Sequence, residues 1–417
     1  MLRTFSAEEK YDSNYRWLML ALAALTPTLV LAMPNMSLPV LFPEISAELN
    51  LSLVQVGWIW AVSSITGMFI GLVGGTVGDR FGARRTLIML CLLTGVAGAL
   101  RGFSANFITF MMTSFLLGLV QPAIAVNVFK IAGEWFRPAQ LGMASGVISA
   151  GFAAGLSLGA LVSASILSPL LGSWRQVFFF YGILAVIIGL LWYMLHPRDE
   201  DSDATRKSYV PLRQGLPHVM RLRKIWLIGL GGMGIRACVV GATGYLPTYL
   251  RDIGWETVRA DNALATFYFV SLLAAIPIAV LSDKMQIRRG FLMLAALMIT
   301  LGVGLLSVVE GNLVWVAVMI AGVTFDALMA IQMTTIMEVE GVGVAYIGTA
   351  LGFSGVIRNF GGTFSPPLGN SLAVYGLNVP FIFWAAMGLI GLVVFSLLPS
   401  KQKKKVEDNI VTSPVPS

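Results

Sequence analysis

Long apolar stretches, separated by short polar breaks, make up most of the chain. A helix needs about 20 mostly apolar residues to cross the hydrocarbon layer of a bilayer. Twelve such stretches run over residues 17–41, 54–77, 86–102, 107–132, 142–165, 177–195, 225–250, 262–281, 290–309, 313–337, 343–373 and 380–398. The polar segment 196–224 is the longest internal break and leaves six stretches on each side. The pattern predicts an all-α membrane protein with twelve transmembrane helices in two six-helix lobes.

The composition also indicates a membrane protein. Of the 417 residues, 57% are apolar and 12% are charged, whereas a soluble domain has about 45–50% apolar and about 25% charged residues. These values exclude an ordinary water-soluble enzyme, a disordered chain and a nucleic-acid-binding domain. Two cysteines and two histidines supply neither a disulfide framework nor a cysteine-based metal site. We therefore expect no metal site and no cofactor.

The basic residues of the loops predict the orientation, because short cytoplasmic loops of membrane proteins are enriched in Lys and Arg. If successive loops lie on alternate sides of the membrane, one side holds both termini and most of the basic residues, in segments 3–16, 80–85, 137, 198–224, 284–289 and 401–405. The other side holds Arg101, Arg175, Arg251 and Arg259. We predict that both termini are cytoplasmic and that the chain is a multi-pass protein of a prokaryotic plasma membrane. The lipid bilayer, not nucleic acid, is then the partner of the basic excess.

The two halves of the chain resemble each other. The matching landmarks, Leu38-Pro39 with Leu246-Pro247, Asp79 with Asp283 and Arg84-Arg85 with Arg288-Arg289, are offset by 204 to 208 residues. Parallel repeats of this kind relate the two lobes of some transporters about an axis along the membrane normal. We predict a first lobe at 1–195, a cytoplasmic central loop at 196–224, a second lobe at 225–400 and a basic cytoplasmic tail at 401–417. The chain is expected to be a monomer.

The loop after the second apolar stretch carries a recognisable motif. Residues 75–85 read GTVGDRFGARR, which resembles the G-x-L-a-D-R-x-G-r-R signature of the major facilitator superfamily. A weaker copy at residues 281–289 reads LSDKMQIRR. The resemblance implies the two-lobed fold with twelve helices, and secondary transport by alternating access rather than an enzymatic activity.

In that family the motif loop holds the two lobes together on the cytoplasmic side. The resemblance therefore implies a cytoplasmic gate made of Gly75, Asp79, Arg80, Gly82, Arg84 and Arg85, with Asp283, Arg288 and Arg289 from the second half. Asp79 and the arginines can pair with one another and with a helix N-terminus. For the arginines, a simple contribution to the basic cytoplasmic side remains an equal alternative.

The fifth stretch contains four regularly placed glycines, Gly142, Gly151, Gly155 and Gly159. Four-residue spacing puts the last three on one helix face, where a neighbouring backbone can approach closely. We predict that these glycines serve helix packing. They also resemble the superfamily's antiporter motif, G-x8-G-x3-G-P-x2-G-G, but Leu156 and Ala160 replace its proline and its last glycine. The proline kink associated with antiport is therefore missing.

Ionisable residues within the hydrocarbon are costly and indicate functional sites. Arg236, Asp326 and Arg358 fall near the middle of their predicted helices, together with Asn359 and Gln332. The deep polar residues of the first half are uncharged: Asn35, Gln121 and Asn127. In the superfamily, spans one, four, seven and ten line the central cavity, with parts of span eleven. The resemblance therefore implies that the charged residues face this cavity.

Two arginines and one carboxylate leave one net positive charge at this predicted site. A guanidinium presents a planar set of donors that matches carboxylates and other oxyanions. We predict that the small-molecule substrate is an organic or inorganic anion. Asp326 is then a protonatable partner or a salt-bridge switch that couples protons to substrate. A structural Asp326–arginine pair that only neutralises itself is the alternative.

Other functions remain open at this stage. Proton-coupled drug efflux is suggested by the fifth-stretch glycines, but efflux members usually carry an arginine where Ser114 lies, four residues before Gly118. A nitrate-type porter ranks lower, since such proteins have an arginine in the second span and residues 54–77 have none. A membrane sensor on the same scaffold is the alternative outside transport. The chain has no G-x-x-x-x-G-K-[ST] loop, so direct use of ATP is not expected.

Overall fold

The computed structural model describes residues 14–81, 83–137, 140–195, 212–285 and 287–399. Every regular element in these ranges is helical. Its long helices are α1 Tyr15–Leu49, α2 Leu53–Phe81, α3 Ala83–Leu100, α4 Phe107–Trp135, α5 Leu141–Leu171, α6 Trp174–Leu195, α7 Arg223–Asp252, α8 Thr257–Met285, α9 Arg288–Leu305, α10 Leu313–Met337, α11 Gly343–Ser371 and α12 Val379–Ser396. The predicted all-α architecture is confirmed.

Ten helices of the described part are long and apolar enough to cross a membrane. The side chains of α2 are described only as far as Met68. This part of α2, Leu53–Met68, is also apolar but is shorter than a full span. The remaining long helix, α11, carries Arg358, Asn359 and the Pro366-Pro367 pair. Its 29 residues nevertheless have the length of a span. The twelve helices correspond one to one with the twelve predicted stretches.

Local sequence explains several helix ends and irregularities. Pro27 opens a π-helical turn, Pro27–Ala32, inside α1, because proline has no N–H for the regular hydrogen bond. The same helix ends at Asn50, which adopts a left-handed conformation with φ of 52°. At the start of α4, Asn106 Oδ1 accepts a hydrogen bond from Thr109 N at 3.0 Å, and Thr109 Oγ1 accepts one from Asn106 N at 3.1 Å. This capping box fixes where α4 begins.

Successive helices run in opposite directions, so their ends lie on two faces of the bundle. The face that we call the termini face carries the helix ends near residues 14, 83, 140, 195, 288 and 396. The opposite face carries the connections 50–52, 101–106, 172–173, 253–256, 306–312 and 372–378. Which face is cytoplasmic stays a prediction.

The first lobe consists of α1–α6 and the second of α7–α12, and they meet mainly where α2 packs on α11 and α5 packs on α8. Among described residues, four hydrogen bonds link the lobes. They join Trp60 Nε1 to Val240 O at 2.7 Å, Ser157 Oγ to Ala265 O at 3.0 Å, Ser165 Oγ to Asp261 Oδ2 at 2.9 Å and Asn370 Nδ2 to Leu53 O at 2.7 Å. All four lie in the half of the bundle nearer the opposite face. The lobes are therefore closed at that face.

The end of the predicted central loop is helical. Leu212–Met220, here called the linker helix, packs against α11. His218 Nε2 is hydrogen-bonded to the carbonyl oxygen of Gly341 at 2.7 Å, and its ring stacks on Tyr346 with 4.4 Å between centroids. This part of the connection is therefore fastened to the second lobe. Residues 196–211 of the predicted loop and the tail 401–417 lie outside the described residues.

The glycines of α5 face the backbone of α1. A Cβ at Gly155 would lie 2.7 Å from Ala32 Cβ, and one at Gly159 would lie 2.6 Å from Met33 O. At Gly151 the nearest atom, Ala24 O, would be 2.8 Å away. Any larger residue at these three positions would force the two helices apart. At Gly142 no atom of the described residues lies within 4 Å, so this glycine makes no close approach.

Candidate functional site

The structure brings the mid-membrane charges of the second lobe together. Arg236 of α7 lies within electrostatic range of Arg358 of α11 and of Tyr268 of α8. Tyr268 in turn lies within electrostatic range of Asp326 of α10. We call these four residues the second-lobe cluster. The sequence predicted its three charged members, and Tyr268 is an addition from the fold.

The two guanidinium groups of the cluster are poorly paired. Within the described residues, Arg236 Nε and Arg358 Nε are buried without a hydrogen-bond partner. Arg358 Nη1 donates only to the thioether sulfur of Met329, at 3.2 Å, and a thioether is a weak acceptor. An unpaired charge at this depth is costly. The cluster therefore has unused donors and unused positive charge, which an anion can satisfy.

Asp326 is held by a hydroxyl group. Ser271 Oγ donates to Asp326 Oδ2 at 2.7 Å, and Asp326 N donates to Ser271 Oγ at 2.9 Å. Asp326 also lies in the first turn of the helical segment Phe325–Met337, where the helix dipole stabilises a negative charge. In the described part of the chain no ion pair joins it to an arginine. The carboxylate and the guanidiniums therefore stay separate in this conformation.

The cluster lies beside the boundary between the lobes. A Cβ at Gly362 of α11 would lie 3.4 Å from Arg236 Nε and 2.5 Å from Ser64 Oγ of α2. Nearby, Asn359 Nδ2 would lie 2.9 Å from a Cβ at Gly67 of α2. The charges are thus at the edge of the closed half of the bundle, where α7 and α11 approach the first lobe.

Two predicted candidates lie away from the cluster. Gln332 is buried, and its Nε2 donates to Ile228 O at 2.8 Å, which ties α10 to α7. Asn127 is also buried, and its Nδ2 donates to Ala123 O of its own helix at 2.8 Å. Both amides serve helix contacts in this conformation.

Asn35 and Gln121 line a separate cavity in the first lobe, together with a residue that the sequence analysis assigned to a loop. That residue is Arg101, which is 3% exposed. Its Cζ lies 4.3 Å from the ring centroid of Phe178. One signal was present in the sequence, since Arg101 falls inside the predicted stretch 86–102.

The predicted gate is described only in part. Gly75, Asp79 and Arg80 lie within α2, and Asp283 within α8, but their side chains lie outside the described residues, as does Gly82. Arg85 is exposed. Its neighbour Arg84 donates to Tyr193 O at 2.7 Å. In the second lobe Arg289 donates to Ser396 O at 2.6 Å. In each lobe, therefore, an arginine of the motif is hydrogen-bonded to the end of the last helix, α6 or α12.

The remaining arginine of the second motif, Arg288, pairs with Glu338 at 3.1 Å. It also donates to Ser282 Oγ at 3.2 Å. These contacts, like those of Arg84 and Arg289, lie within one lobe. The gate function of the motif residues therefore stays a prediction.

Apolar spans, two lobes closed at one face and buried charges beside their boundary define a membrane transport protein. The sequence profile of the Major Facilitator Superfamily matches residues 24–346, so the chain belongs to this family. The predicted family, the non-enzymatic nature and the multi-pass membrane location are confirmed.

Curated relatives carry several transport functions. The chain is 25% identical to the probable nitrate/nitrite antiporter NarK1 of Thermus thermophilus over 79% of each protein. It is 24% identical to the probable sulfoacetate transporter SauU of Cupriavidus necator, over 84% of this chain and 82% of that one. It is 25% identical to the multidrug resistance protein MdtH of Salmonella typhi, over 86% of this chain and 89% of that one.

Solved structures have the same fold. A bacterial homologue of the human lysosomal transporter Spinster, in an inward-facing and occupied conformation, superimposes with a TM-score of 0.73. It shares 15% identity over 92% of this chain and 97% of its own. A mutant of the nucleoside transporter NupG gives a TM-score of 0.75 at 11% identity, over 92% of this chain and 99% of its own. The predicted fold of two six-helix lobes is confirmed.

Proposed function

We propose that this secondary transporter carries a small organic or inorganic anion by alternating access. The observation that carries the proposal is the pair of buried arginines, Arg236 and Arg358, whose Nε groups have no hydrogen-bond partner among the described residues. Two neighbouring guanidinium groups can bind a carboxylate, a nitrate or a sulfonate, whose oxygens accept several hydrogen bonds at once. Relatives named for nitrate/nitrite, sulfoacetate and hexuronate transport support an anionic substrate.

The excess of basic residues in its loops makes the termini face cytoplasmic. The face at which the lobes are closed in this structure is then the one away from the cytoplasm, and the cytoplasmic face is the one that opens in this state of the cycle. In the other state the lobes separate at the opposite face and close at the termini face, around the motif residues. The chain works as a monomer, since each lobe supplies one wall of the pathway.

Proton coupling is assigned to Asp326. Its carboxylate is bonded to a neutral serine and lies in the same cluster as Arg236, with Tyr268 between them. In a state in which an arginine pairs with Asp326, the carboxylate keeps its charge. When the arginines bind a substrate anion instead, as their separation from Asp326 in this conformation allows, protonation becomes favourable. Substrate and proton are therefore carried together.

The arginines can be tested by the thermal stability of the purified protein against nitrate, acetate, hexuronate and sulfoacetate. A ligand that binds only the folded state raises its melting temperature by mass action. We expect at least one anion to stabilise the wild type, and Arg236→Gln and Arg358→Gln each to abolish that shift. Arg84→Gln is the control, because Arg84 lies near the termini face, away from the cluster, and its Nη2 donates to Tyr193 O; its shift should persist. If the anions stabilise both cluster variants as well as the wild type, the proposal is wrong.

The carboxylate is tested separately in proteoliposomes. Asp326→Asn keeps the shape of the side chain but cannot bind or release a proton. We expect this variant to lose pH-gradient-driven uptake of the anion at least tenfold, while it still exchanges internal for external anion. Asn127→Leu is the control, because Asn127 bonds only its own helix among described residues. Unchanged gradient-driven uptake in the Asp326 variant would exclude its role as proton carrier.

Drug efflux is the second candidate, favoured by the similarity to MdtH. The same melting experiment separates the two functions. Stabilisation by lipophilic cations such as tetraphenylphosphonium, with no effect of any anion, would replace the anion proposal by efflux.

A further inference from the structure

The first lobe contains a cavity of about 20 Å³, outside the second-lobe cluster. It lies between α1, α2, α4 and the short helical turn Arg101–Phe103. Its polar lining consists of Asn35, Ser63, Arg101, Ser114 and Gln121. A cavity of this volume has room for one water-sized group, so it can take a single oxygen atom of an anion.

Three donors that line this cavity have no partner among the described residues. They are Arg101 Nε, Gln121 Nε2 and Ser114 Oγ, all buried. Within the same part of the chain, no hydrogen bond or ion pair reaches the Arg101 guanidinium. Its one described interaction is the cation–π contact with Phe178. Buried donors are normally satisfied, and a buried charge without a counter-charge is costly.

The second lobe supplies an internal comparison, because the repeat places a cavity at the equivalent position. That cavity is lined by Val239, Ala242, Thr243, Leu246, Phe267, Val303, Leu306, Val318 and Ala321. With the offset of 204 to 205 residues, Arg101 corresponds to Leu306, Ser63 to Phe267, Ser114 to Val318 and Gln121 to Phe325. The fold therefore tolerates apolar side chains at these places. Packing alone gives no reason for an arginine and a glutamine in the first lobe.

We propose that the first-lobe cavity is a second anion-binding subsite, with Arg101 as its cation. Gln121 and Ser114 donate the additional hydrogen bonds, and the ligand is a small oxyanion or a carboxylate group. This inference rests on the proposed function, since it assumes that the pathway carries an anion. Ser63 lines this cavity, while Ser64, the next residue of α2, lies beside Arg236 at Gly362. The two anion subsites are therefore on neighbouring faces of one helix.

The test uses Arg101→Leu, which copies the residue of the second lobe. Thermal shifts are measured with nitrate and with acetate over a range of concentrations. We expect the half-saturating concentration of the stabilising anion to rise at least tenfold, and the melting temperature without ligand to stay the same or increase. Arg101→Lys, which keeps the charge, should remain within about threefold of the wild type. Arg259→Gln is the control, because it removes a charge at the same face, lies in the second lobe and bonds Asn312 rather than the turn that carries Arg101.

A second variant guards against misfolding. Gln121→Phe copies Phe325 of the second lobe and removes one donor, and it should also raise the half-saturating concentration at least tenfold. Unchanged anion affinity in both Arg101→Leu and Gln121→Phe would overturn the second subsite. The proposed function would still stand if Arg236→Gln abolished the shift in the same experiment. If nitrate and acetate stabilise neither the wild type nor any variant, and lipophilic cations do, the proposed function itself fails.

Discussion

The Asp261→Ala variant is expected to lose about 3–5 kcal/mol of stability, the usual cost of breaking a buried ion pair by removing one partner. Asp261 of α8 is fully buried, and its Oδ1 accepts a hydrogen bond from Arg251 Nη2 at 2.6 Å. The same carboxylate accepts a hydrogen bond from Ser165 of the first lobe. Its removal therefore leaves Arg251 unpaired inside the second lobe and also breaks a bond between the lobes.

Thermal unfolding of the purified protein measures this loss. Glu48→Gln is the matched control, because the Glu48–Arg175 pair also joins two helices at the opposite face but is 48% and 27% exposed. Exposed pairs are worth at most about 1 kcal/mol, so this variant should melt close to the wild type. Equal melting temperatures for the Asp261 and Glu48 variants would show that the Arg251–Asp261 pair does not stabilise the closed face.

Ser165→Ala separates the two contributions. It keeps the Arg251–Asp261 pair and removes only the bond between the lobes, which is worth about 1.5–3 kcal/mol for a charged acceptor. This variant should therefore melt between the wild type and Asp261→Ala, and it should open more often at the opposite face than the wild type.

The long helices could be predicted from the sequence because the bilayer imposes their length and apolarity. Even α11 was predicted, at 343–373 against the observed Gly343–Ser371, although Arg358 and several glycines interrupt its apolar pattern. The linker helix was missed. Leu212–Met220 has only nine residues and contains Pro217, and its contacts with Gly341 and Tyr346 depend on the packing of distant segments.

The site could be predicted as a set of charges but not as a set of partners. Charged residues in the middle of apolar stretches are visible in the sequence, and Arg236, Asp326 and Arg358 were found in this way. That Asp326 bonds Ser271 depends on how α8 packs against α10, which no local pattern reveals. Arg101 was counted among the basic residues of the loops, although it falls at the end of the predicted stretch 86–102. Its burial against Phe178 of α6 depends on how α6 packs beside α3, which the sequence does not reveal.

Gly244→Ala is expected to prevent the lobes from closing at the opposite face. Gly244 of α7 lies against Trp60 of α2, and a Cβ at this position would be 2.4 Å from the indole Cδ1. The indole is buried and donates to Val240 O at 2.7 Å, so it must leave this bond to make room. Overpacking of this kind costs about 1–3 kcal/mol. The cost arises only in the closed state, so it shifts the population about 5- to 150-fold toward the open one.

A cysteine introduced at Ser165 reports this shift, because both native cysteines are buried. Every rate is compared with that of the Ser165→Cys variant alone, which lacks the same bond to Asp261. In the Gly244→Ala background we expect a membrane-impermeant maleimide to label it at least five times faster from the opposite face, and transport to fall by a similar factor. Gly355→Ala is the control, since no described atom lies within 4 Å of a Cβ there. Trp60→Leu is measured alone and together with Gly244→Ala, because it relieves the overlap but also removes the bond to Val240 O. Adding Gly244→Ala to Trp60→Leu should then cause no further increase in labelling rate. If the double variant labels at least five times faster than Trp60→Leu alone, overlap with the α2 indole is not the cause of the opening.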